Sequence, residues 1–492
     1  MVYQPESVNI EYKKSTNSLS KEFWLTYSAF ANTLGGQIIL GVEETKDKQF
    51  IASGVNDPDK IIKTLFDTLQ SNKVSINLIT ENDVKIETLK DNIKIIIVTV
   101  PEAPYAIKPV YLNGELTHSY IRRGEGDYKC TTQELAELIR NTRDILDDEI
   151  IEGFTIDDID PETLKDYRIR ISNLDTQEFH ALQSDTEFLI SIGAMRKNRS
   201  TGKEELTFGG LLFFGKYISI KEELPHFHLE FLNYIDADEK RWSDRIATGD
   251  MKYPNLNLYK FFIETLQKLK GTVKDSFELD EDLSRKSDVD IEVALREALA
   301  NSIIHADYRH QSPIKISAFK DYYEFENPGK MRVSIEEFAM GGKSLPRNHV
   351  IELLFRKIGF CERAGSGGQK IFQTAIKRNY KTPDIELSPS LTLLRFWNVG
   401  LIESFNGYDE DTKEILAIMK KGFTSTSRAI EEQTNLKKNR IINILNMLIE
   451  DGVIFKQGQG RATIYIIKET PTESIAKLDH LVRQIQKSIS NK

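Results

Sequence analysis

The stretch Leu295-Arg-Glu-Ala-Leu-Ala-Asn-Ser-Ile-Ile-His-Ala-Asp-Tyr308 decides how the chain is read. Glu297 and Asn301 stand four residues apart, so a helix places them one turn from each other on one face. Leu295, Ala298, Leu299, Ser302 and Ile303 then cover the opposite, buried side. A carboxylate and an amide so placed suit a phosphate-handling site. The amide oxygen can ligate a hard Mg²⁺ that already holds triphosphate oxygens, while the carboxylate polarises a water aimed at the terminal phosphate. The same spacing also fits a solvated acid beside a helix-terminal asparagine, so the neighbouring motifs decide.

Those motifs follow in order. A strand-like Ile314-Lys-Ile-Ser-Ala-Phe319 leads into Glu324-Phe-Glu-Asn-Pro-Gly-Lys330. Gly341-Gly-Lys-Ser-Leu-Pro-Arg-Asn348 reads as a mobile glycine-rich segment, and Glu362-Arg-Ala-Gly-Ser-Gly-Gly368 opens another helix. With these four motifs in sequence, residues 205–400 resemble the divergent histidine-kinase-like (GHKL) ATPase domain of Schlafen-related prokaryotic proteins. The resemblance implies an α/β sandwich that binds ATP, with Glu297 as general base and Asn301 as Mg²⁺ ligand. It implies that Gly365, Gly367 and Gly368 let backbone N–H groups approach the phosphates at a helix start. Gly341, Gly342 and Arg347 fall in its lid, and Asn327 and Gly329 in its base-reading turn. GHKL enzymes generally read the adenine amino group with an Asp before their first glycine. Here that position is Asn327, so nucleotide binding is the firmer expectation and turnover the weaker one. A Walker-type motor is excluded, because Gly341-Gly-Lys-Ser344 lacks the preceding glycine spacing.

At the other end, Val8, Ile10 and Tyr12 alternate with polar residues, the pattern of a half-buried strand. In such a strand Glu11 and Lys13 share the face opposite Ile10 and Tyr12, with Glu6 at the strand entry. A helix from Lys21 to Thr33 carries Phe23, Trp24, Tyr27, Phe30 and Ala31 and stops at Gly35-Gly36. A buried strand, Gln37-Ile-Ile-Leu-Gly-Val42, then runs into Glu43 and Glu44. Carboxylates and a lysine thus gather near the ends of two strands, as a site for Mg²⁺ or Mn²⁺ requires. A salt-bridged strand pair with solvated acids is the alternative that charges alone leave open.

The order Glu6-Ser-x-x-x-Glu-Tyr-Lys13, Ser28-Ala-Phe-Ala-Asn-Thr-Leu-Gly-Gly36 and Ile39-Leu-Gly-Val-Glu43 resembles the Schlafen AlbA_2 domain, extending to about residue 140. In Schlafen nucleases that domain carries a three-acid metal site that cuts structured RNA, tRNA in particular. In many prokaryotic members it is described only as DNA-binding. The resemblance assigns Glu6 and Glu11 to the first two acids, Glu43 or Glu44 to the third, and Lys13 to the lysine beside the second. Arg122 and Arg123, before Gly124, form a forked cation pair suited to a phosphate backbone.

The rest of the composition sets limits. The chain has 492 residues, enough for about three domains, and is 40% apolar and 29% charged. A net charge of −9 supplies no global field for nucleic acid, so such binding must use local patches. Cys130 and Cys361 are far apart and belong to no Cys/His cluster, which excludes a disulfide framework and suits a reducing cytoplasm. No apolar run approaches the ~20 residues of a membrane span, so no membrane partner is expected.

Residues 143–170 are crowded with acids, including Asp147, Asp148, Glu149, Asp157, Asp158 and Asp160, and read as a solvated linker. After residue 400 the pattern changes to helix, short helix, helix and a glycine-tipped ribbon over 405–470, a winged helix-turn-helix. Its third helix presents Lys437, Lys438, Asn439 and Arg440 where a recognition helix meets the major groove, and Arg461 flanks the wing. The tail 471–492 has helical spacing at Ile475, Leu478, Leu481 and Ile485, suited to packing on its own chain or on a second subunit of a homo-oligomer.

The fold class expected is therefore α/β (α+β) and multidomain. Two functions fit it. One is an ATP-binding, metal-dependent endoribonuclease acting on tRNA-like substrates in phage defence or stress. The other is an ATP-binding, DNA-binding transcriptional regulator without nuclease activity.

Overall fold

The structure, a computed structural model, describes residues 6–45, 50–89, 92–104, 107–142, 147–174, 183–235, 241–273, 289–361, 365–388, 390–405, 407–421, 425–458, 463–468, 473–474, 476–480 and 482. The chain divides into two units, Met1–Ile145 and Leu146–Lys492.

In the first unit a four-stranded sheet has the spatial order Ile10–Lys13, Gly36–Leu40, Lys94–Val100, Val84–Thr88. The first pair is parallel and the others antiparallel. Parallel neighbours need a crossover, and the helix Lys21–Asn32 supplies it. Ser20 caps that helix by accepting the Phe23 N–H. Phe23, Tyr27 and Phe30 are fully buried against Ile38, Leu40, Ile96 and Val98. The polar Ser28 and Asn32, one turn apart, face the chain instead of a ligand. Asn32 donates to the Val110 and Tyr120 carbonyls and accepts the Val110 N–H, while Ser28 donates to the Val110 carbonyl. A hairpin, Glu115–Arg123 with Gly126–Lys129, is thereby fixed over the helix.

The second unit is built on a six-stranded sheet ordered Asp244–Ala247, Leu229–Asn233, Ile314–Ala318, Tyr322–Pro328, Leu391–Trp397, Asp384–Leu387. Only Leu229–Asn233 and Ile314–Ala318 run parallel among these neighbours. The helices Leu258–Thr272, Val289–Ile304 and Ser366–Lys377 contribute to the same core. The Glu297/Asn301 helix is buried nearly all round, so Glu297 itself is enclosed, with 4% of its surface exposed.

The acidic stretch is not a solvated linker. From residue 147 onward it folds as part of the second unit, with Asp147 and Asp160 buried while Glu149, Glu152, Asp157 and Glu162 stay exposed. Asp147 is buried and accepts the Val350 and Ile351 N–H groups, which caps the helix His349–Lys357. Asp160 is buried, accepts from Thr163 and lies 2.9 Å from the Lys260 ammonium. Tyr167, fully buried in the helix Pro161–Leu174, packs edge-on to Phe188, Phe213, Phe214 and Tyr259 and donates to the Leu354 carbonyl. Capping and neutralisation let these acids enter a core that composition alone assigns to solvent.

Near the C-terminus the helices Glu410–Lys421, Ser427–Gln433 and Lys438–Glu450 enclose Ile415, Leu416, Ile430, Ile441, Leu445 and Leu448. An antiparallel ribbon, Ile454–Gln457 with Ile464–Ile467, follows. This is the expected element order. Beyond it, Ala476 is buried with Ala339 and Phe372 of the same chain, while Leu478 is exposed. Ile475, Leu481 and Ile485 lie outside the described residues. Among the described residues no helix is long and apolar enough to cross a membrane.

Candidate functional site

In the second unit a pocket with about 710 Å³ of empty space opens beside the Glu297/Asn301 helix. That helix contributes Ala298, Asn301 and Ser302 to the wall, His305 follows just after it, the turn after Tyr322–Pro328 contributes Lys330 and Met331, and Asn327, Thr392 and Leu394 line the sheet side. Phe338 of the short helix Ile335–Met340 and Lys343, Ser344 and Leu345 of the glycine-rich segment close it, and Gly365, Gly367 and Gly368 form its remaining edge. The motifs separated in sequence therefore meet at one cavity. Gly341 and Gly342 both have left-handed backbone, at φ +74° and +90°, which lets the segment turn away after the short helix Ile335–Met340.

The glycine helix Ser366–Lys377 begins at this wall. A β-carbon at Gly367 would lie 3.0 Å from Glu297 Oε2 and 3.1 Å from the Asn301 amide nitrogen. The missing side chain thus keeps a gap between the acid, the amide and a helix N-terminus. The Asn301 Nδ2 is buried without a hydrogen-bond partner. An orphaned amide facing a helix start fits a polar, anionic occupant such as Mg²⁺-bound triphosphate. Glu297 Oε1 lies 3.2 Å from Arg296 Nη2 and 3.3 Å from Lys370 Nζ. The Asn327 amide donates to the Pro328 carbonyl, which directs its own carbonyl oxygen elsewhere as an acceptor. Residues 362–364, the start of the glycine motif, lie outside the described residues.

Two residues near the pocket differ from expectation. Arg347 is buried and its guanidinium donates to the His305 and Lys330 carbonyls, so it braces the pocket wall and does not line the cavity. Gly329, with φ +97°, packs against that guanidinium, since a β-carbon there would lie 3.0 Å from Arg347 Nη2. His305, whose place after the Glu297/Asn301 helix suits either shaping the site or packing, is part of the wall. Burial, with the neighbouring Arg347 and Arg332 charges, lowers its pKa to about 4, so it is neutral.

In the first unit Glu6, Glu11, Lys13 and Arg122 come together. The Glu6 carboxylate accepts the Tyr12 N–H. Glu11 is buried, against the expectation of an open strand face, with Lys13 Nζ 2.6 Å from Oε1 and Arg122 Nη2 2.7 Å from Oε2. Val8, expected in the core, is exposed. Burial pushes the Glu6 carboxyl above its usual range, and the Glu11 charge adds to the shift. Arg122 is not a surface phosphate ligand. It is buried, pairs also with Asp127 at 3.0 Å, donates to the Ser7 carbonyl and stacks over Phe30. Asp127, in turn held by Thr26, is the member of this network that the motif reading missed. Its signal was only its place in the hairpin opposite Arg122. Arg123 is exposed and pairs with Glu134.

Residues 6–131 match the family model Schlafen, AlbA_2. Residues 311–396 match HATPase_c_4, the model described by the C-terminal region of recG ATP-dependent DNA helicase, and residues 136–230 match DUF8451, a domain of unknown function. The chain carries a Schlafen AlbA_2 domain and a HATPase_c_4 domain. The HATPase_c_4 match begins after the Glu297/Asn301 helix, and the fold brings that helix to it in one core and at one pocket. Among solved structures, the DIP2311 protein of Corynebacterium diphtheriae is 17% identical over 95% of this chain and 93% of its own, with a TM-score of 0.41. The N-terminal domain of a RecG-related protein from Nitrosomonas europaea is 28% identical over 26% of this chain and 85% of its own, with a TM-score of 0.20. No curated protein sequence matches.

Within the AlbA_2 domain the expected three-acid metal site is not assembled. Glu43 pairs with Lys14 at 2.6 Å and Glu44 is exposed. Among the described residues no three His, Cys, Asp or Glu side chains are grouped to hold a metal ion. Both oxygens of Glu11 already face cations, so the residues present do not fit a nuclease metal as they stand. Both cysteines have thiols pushed up to about 12 by burial, which favours the neutral thiol over the thiolate. At the C-terminal helices Lys437, Lys438 and Asn439 are exposed at the start of Lys438–Glu450. Arg440 is tied to Asp409 and Asp411, and Arg461 lies outside the described residues.

Proposed function

We propose that this is an ATP-binding protein that acts at nucleic acid, with nucleotide occupancy setting its conformation. The observation that carries the nucleotide reading is the gap at Gly367, bounded by Glu297 and by the orphaned Asn301 amide. Asn301 would hold the Mg²⁺ of the nucleotide through its oxygen, since an amide can turn to present either end. The N–H groups around Gly365, Gly367 and Gly368 would receive phosphate oxygens at the helix start. The nucleotide, when bound, supplies a phosphoanhydride for hydrolysis, and Glu297 is the side chain placed to orient water. The HATPase_c_4 match supports this reading. Calorimetric titration of the purified chain with ATP and Mg²⁺ tests it. Binding that disappears in Asn301→Ala is expected, and no binding by the intact chain would refute it.

The AlbA_2 domain supports the nucleic-acid half, together with the exposed Lys437, Lys438 and Asn439 at a helix start in the C-terminal module, which has the element order of a winged helix. The regulator reading predicts DNA retarded on a gel, lost on deleting 405–470 and retained in Glu11→Ala. A metal-dependent nuclease is the second reading. It is favoured by one observation: the Glu6 carboxylate, held by the Tyr12 N–H, stands at the start of the strand that carries Glu11, so that two acids would be at hand for a divalent cation. It requires Lys13 and Arg122 to release Glu11. Incubating the protein with total tRNA and with duplex DNA, in Mn²⁺ or EDTA, with and without ATP, separates the two. Mn²⁺-dependent cuts missing in Glu11→Ala establish the nuclease. Intact substrates leave the binder.

A further inference from the structure

We propose that Lys370 reads the terminal phosphate of a bound nucleoside triphosphate, and that Glu297 holds this lysine in position until the nucleotide arrives. The inference rests on the nucleotide reading above and adds to it a residue that discriminates triphosphate from diphosphate. Lys370 stands three residues after Gly367 on the glycine helix, so the two share a face one turn apart. The Glu297 carboxylate bridges them. Its Oε2 lies 3.0 Å from the position a Gly367 β-carbon would take, and its Oε1 lies 3.3 Å from Lys370 Nζ. A carboxylate at the first turn of a helix, in contact with an ammonium, occupies the kind of position that a phosphate oxygen favours. Glu297 is thus the internal anion at this end of the site.

The accessibilities of the pair are unequal. The Glu297 side chain is 5% exposed and that of Lys370 26%, so the acid is fixed and the lysine has room to turn. An ammonium on a flexible four-carbon stem is suited to such a transfer, because it is a point charge without a fixed fork. Glu297 is not left unpaired when Lys370 turns away, since Arg296 Nη2 remains 3.2 Å from the same oxygen. A diphosphate, lacking the third group, has nothing to offer Lys370. The competing role for the lysine is a plain tie between the two helices, which would affect all nucleotides equally.

The test is isothermal titration of the full chain with ADP and with the β,γ-imido analogue of ATP, both with Mg²⁺, for the wild type and three variants. Lys370→Met is expected to weaken the triphosphate analogue tenfold or more and to leave ADP within twofold. Lys370→Arg is expected to retain most of the preference. Glu297→Gln, which removes the competing charge and keeps the shape, is expected to bind the triphosphate analogue several-fold more tightly than the wild type. Equal weakening of both ligands by Lys370→Met, or no change in their ratio, overturns the role of Lys370. A wild-type chain that binds neither ligand overturns the nucleotide reading itself. Thermal melts of each variant show whether a loss reflects unfolding, and Lys370→Arg and Glu297→Gln keep the test open if Lys370→Met does not fold.

Discussion

Gly367 has ordinary helical backbone, so nothing in its conformation requires glycine; space does. Alanine at that position gains about 1 kcal/mol of helix propensity. Its β-carbon, however, presses on Glu297 and Asn301 at 3.0 and 3.1 Å. Gly367→Ala should therefore melt at or above the wild-type temperature yet bind ATP about tenfold more weakly, a loss of about 1.4 kcal/mol. Calorimetry beside a thermal melt checks it, and a parallel loss of stability would count against the argument. The two adjacent arginines of the AlbA_2 domain make a second contrast. Arg122→Ala leaves the buried Glu11 with Lys13 alone and the half-buried Asp127 without its cation, and should cost about 3–5 kcal/mol in denaturant unfolding. Arg123→Ala, at an exposed ion pair, should cost under about 1 kcal/mol. From the sequence these arginines are indistinguishable. Glu297 and Asn301 were legible because helical spacing is local; the Glu11–Arg122 pair was not, because it joins the first strand to a distant hairpin and leaves no periodic trace.

The helix His349–Lys357 shows how an element can be read correctly while its support is missed. Its N-terminal N–H groups at Val350 and Ile351 are satisfied by Asp147, from the stretch that composition assigns to solvent. Removing the acceptor by Asp147→Ala leaves two buried donors, each carrying about 1–3 kcal/mol of desolvation, and should destabilise the second unit by at least that much. The acid also gives a pH signature. Burial raises its pKa from 3.8 to about 6, so between those values the folded chain holds a proton that the unfolded chain has lost. Its contribution to stability is present at low pH and is lost as pH rises through about 6. His305 does the opposite. Its pKa falls from 6.5 to about 4, so its contribution is present at neutral pH and is lost as pH falls through that window. The two nearly coincide and oppose each other. Asp147→Asn removes one of them, so its stability relative to wild type should worsen as pH is lowered from 6 to 4, measured by urea unfolding at several pH values. A constant difference across that range would mean that Asp147 is already ionised there. The helices, the central strands and the C-terminal helix–helix–helix–ribbon order were legible from apolar spacing. Capping by a buried aspartate was not, because a run of acids looks the same whether water or backbone N–H groups receive it.

At the scale of the molecule, the second unit ties its own C-terminal segment to the two helices that flank the glycine-rich segment of the pocket. Ala476 is buried beside Ala339 of the short helix Ile335–Met340 and Phe372 of the glycine helix. Asp479 accepts from the amides of Gln369 and Gln373, both at 3.1 Å, and Gln369 also donates to the Met340 carbonyl at 2.6 Å. One segment therefore braces the helix before Gly341 and the helix after Gly365, both beside the pocket. The brace comes after the ribbon of the C-terminal module in the chain, so under the proposed function a change of spacing between those helices would reach a segment joined to that module. Bracing also lowers the entropy lost when the pocket closes on a ligand. A chain ended at Thr470 should thus show faster amide hydrogen exchange in 335–340 and 366–377, with the central strands unchanged, and nucleotide affinity reduced about three- to tenfold, or about 0.7–1.4 kcal/mol. Asp479→Ala alone should give part of that effect, because each of the hydrogen bonds from Gln369 and Gln373 contributes about 1 kcal/mol or somewhat more to holding the segment down. Exchange that is unchanged in both helices after truncation would show that the segment rests on the pocket walls without restraining them, and the route from nucleotide to the C-terminal module would then have to run through Leu391–Trp397 and the chain that leaves it.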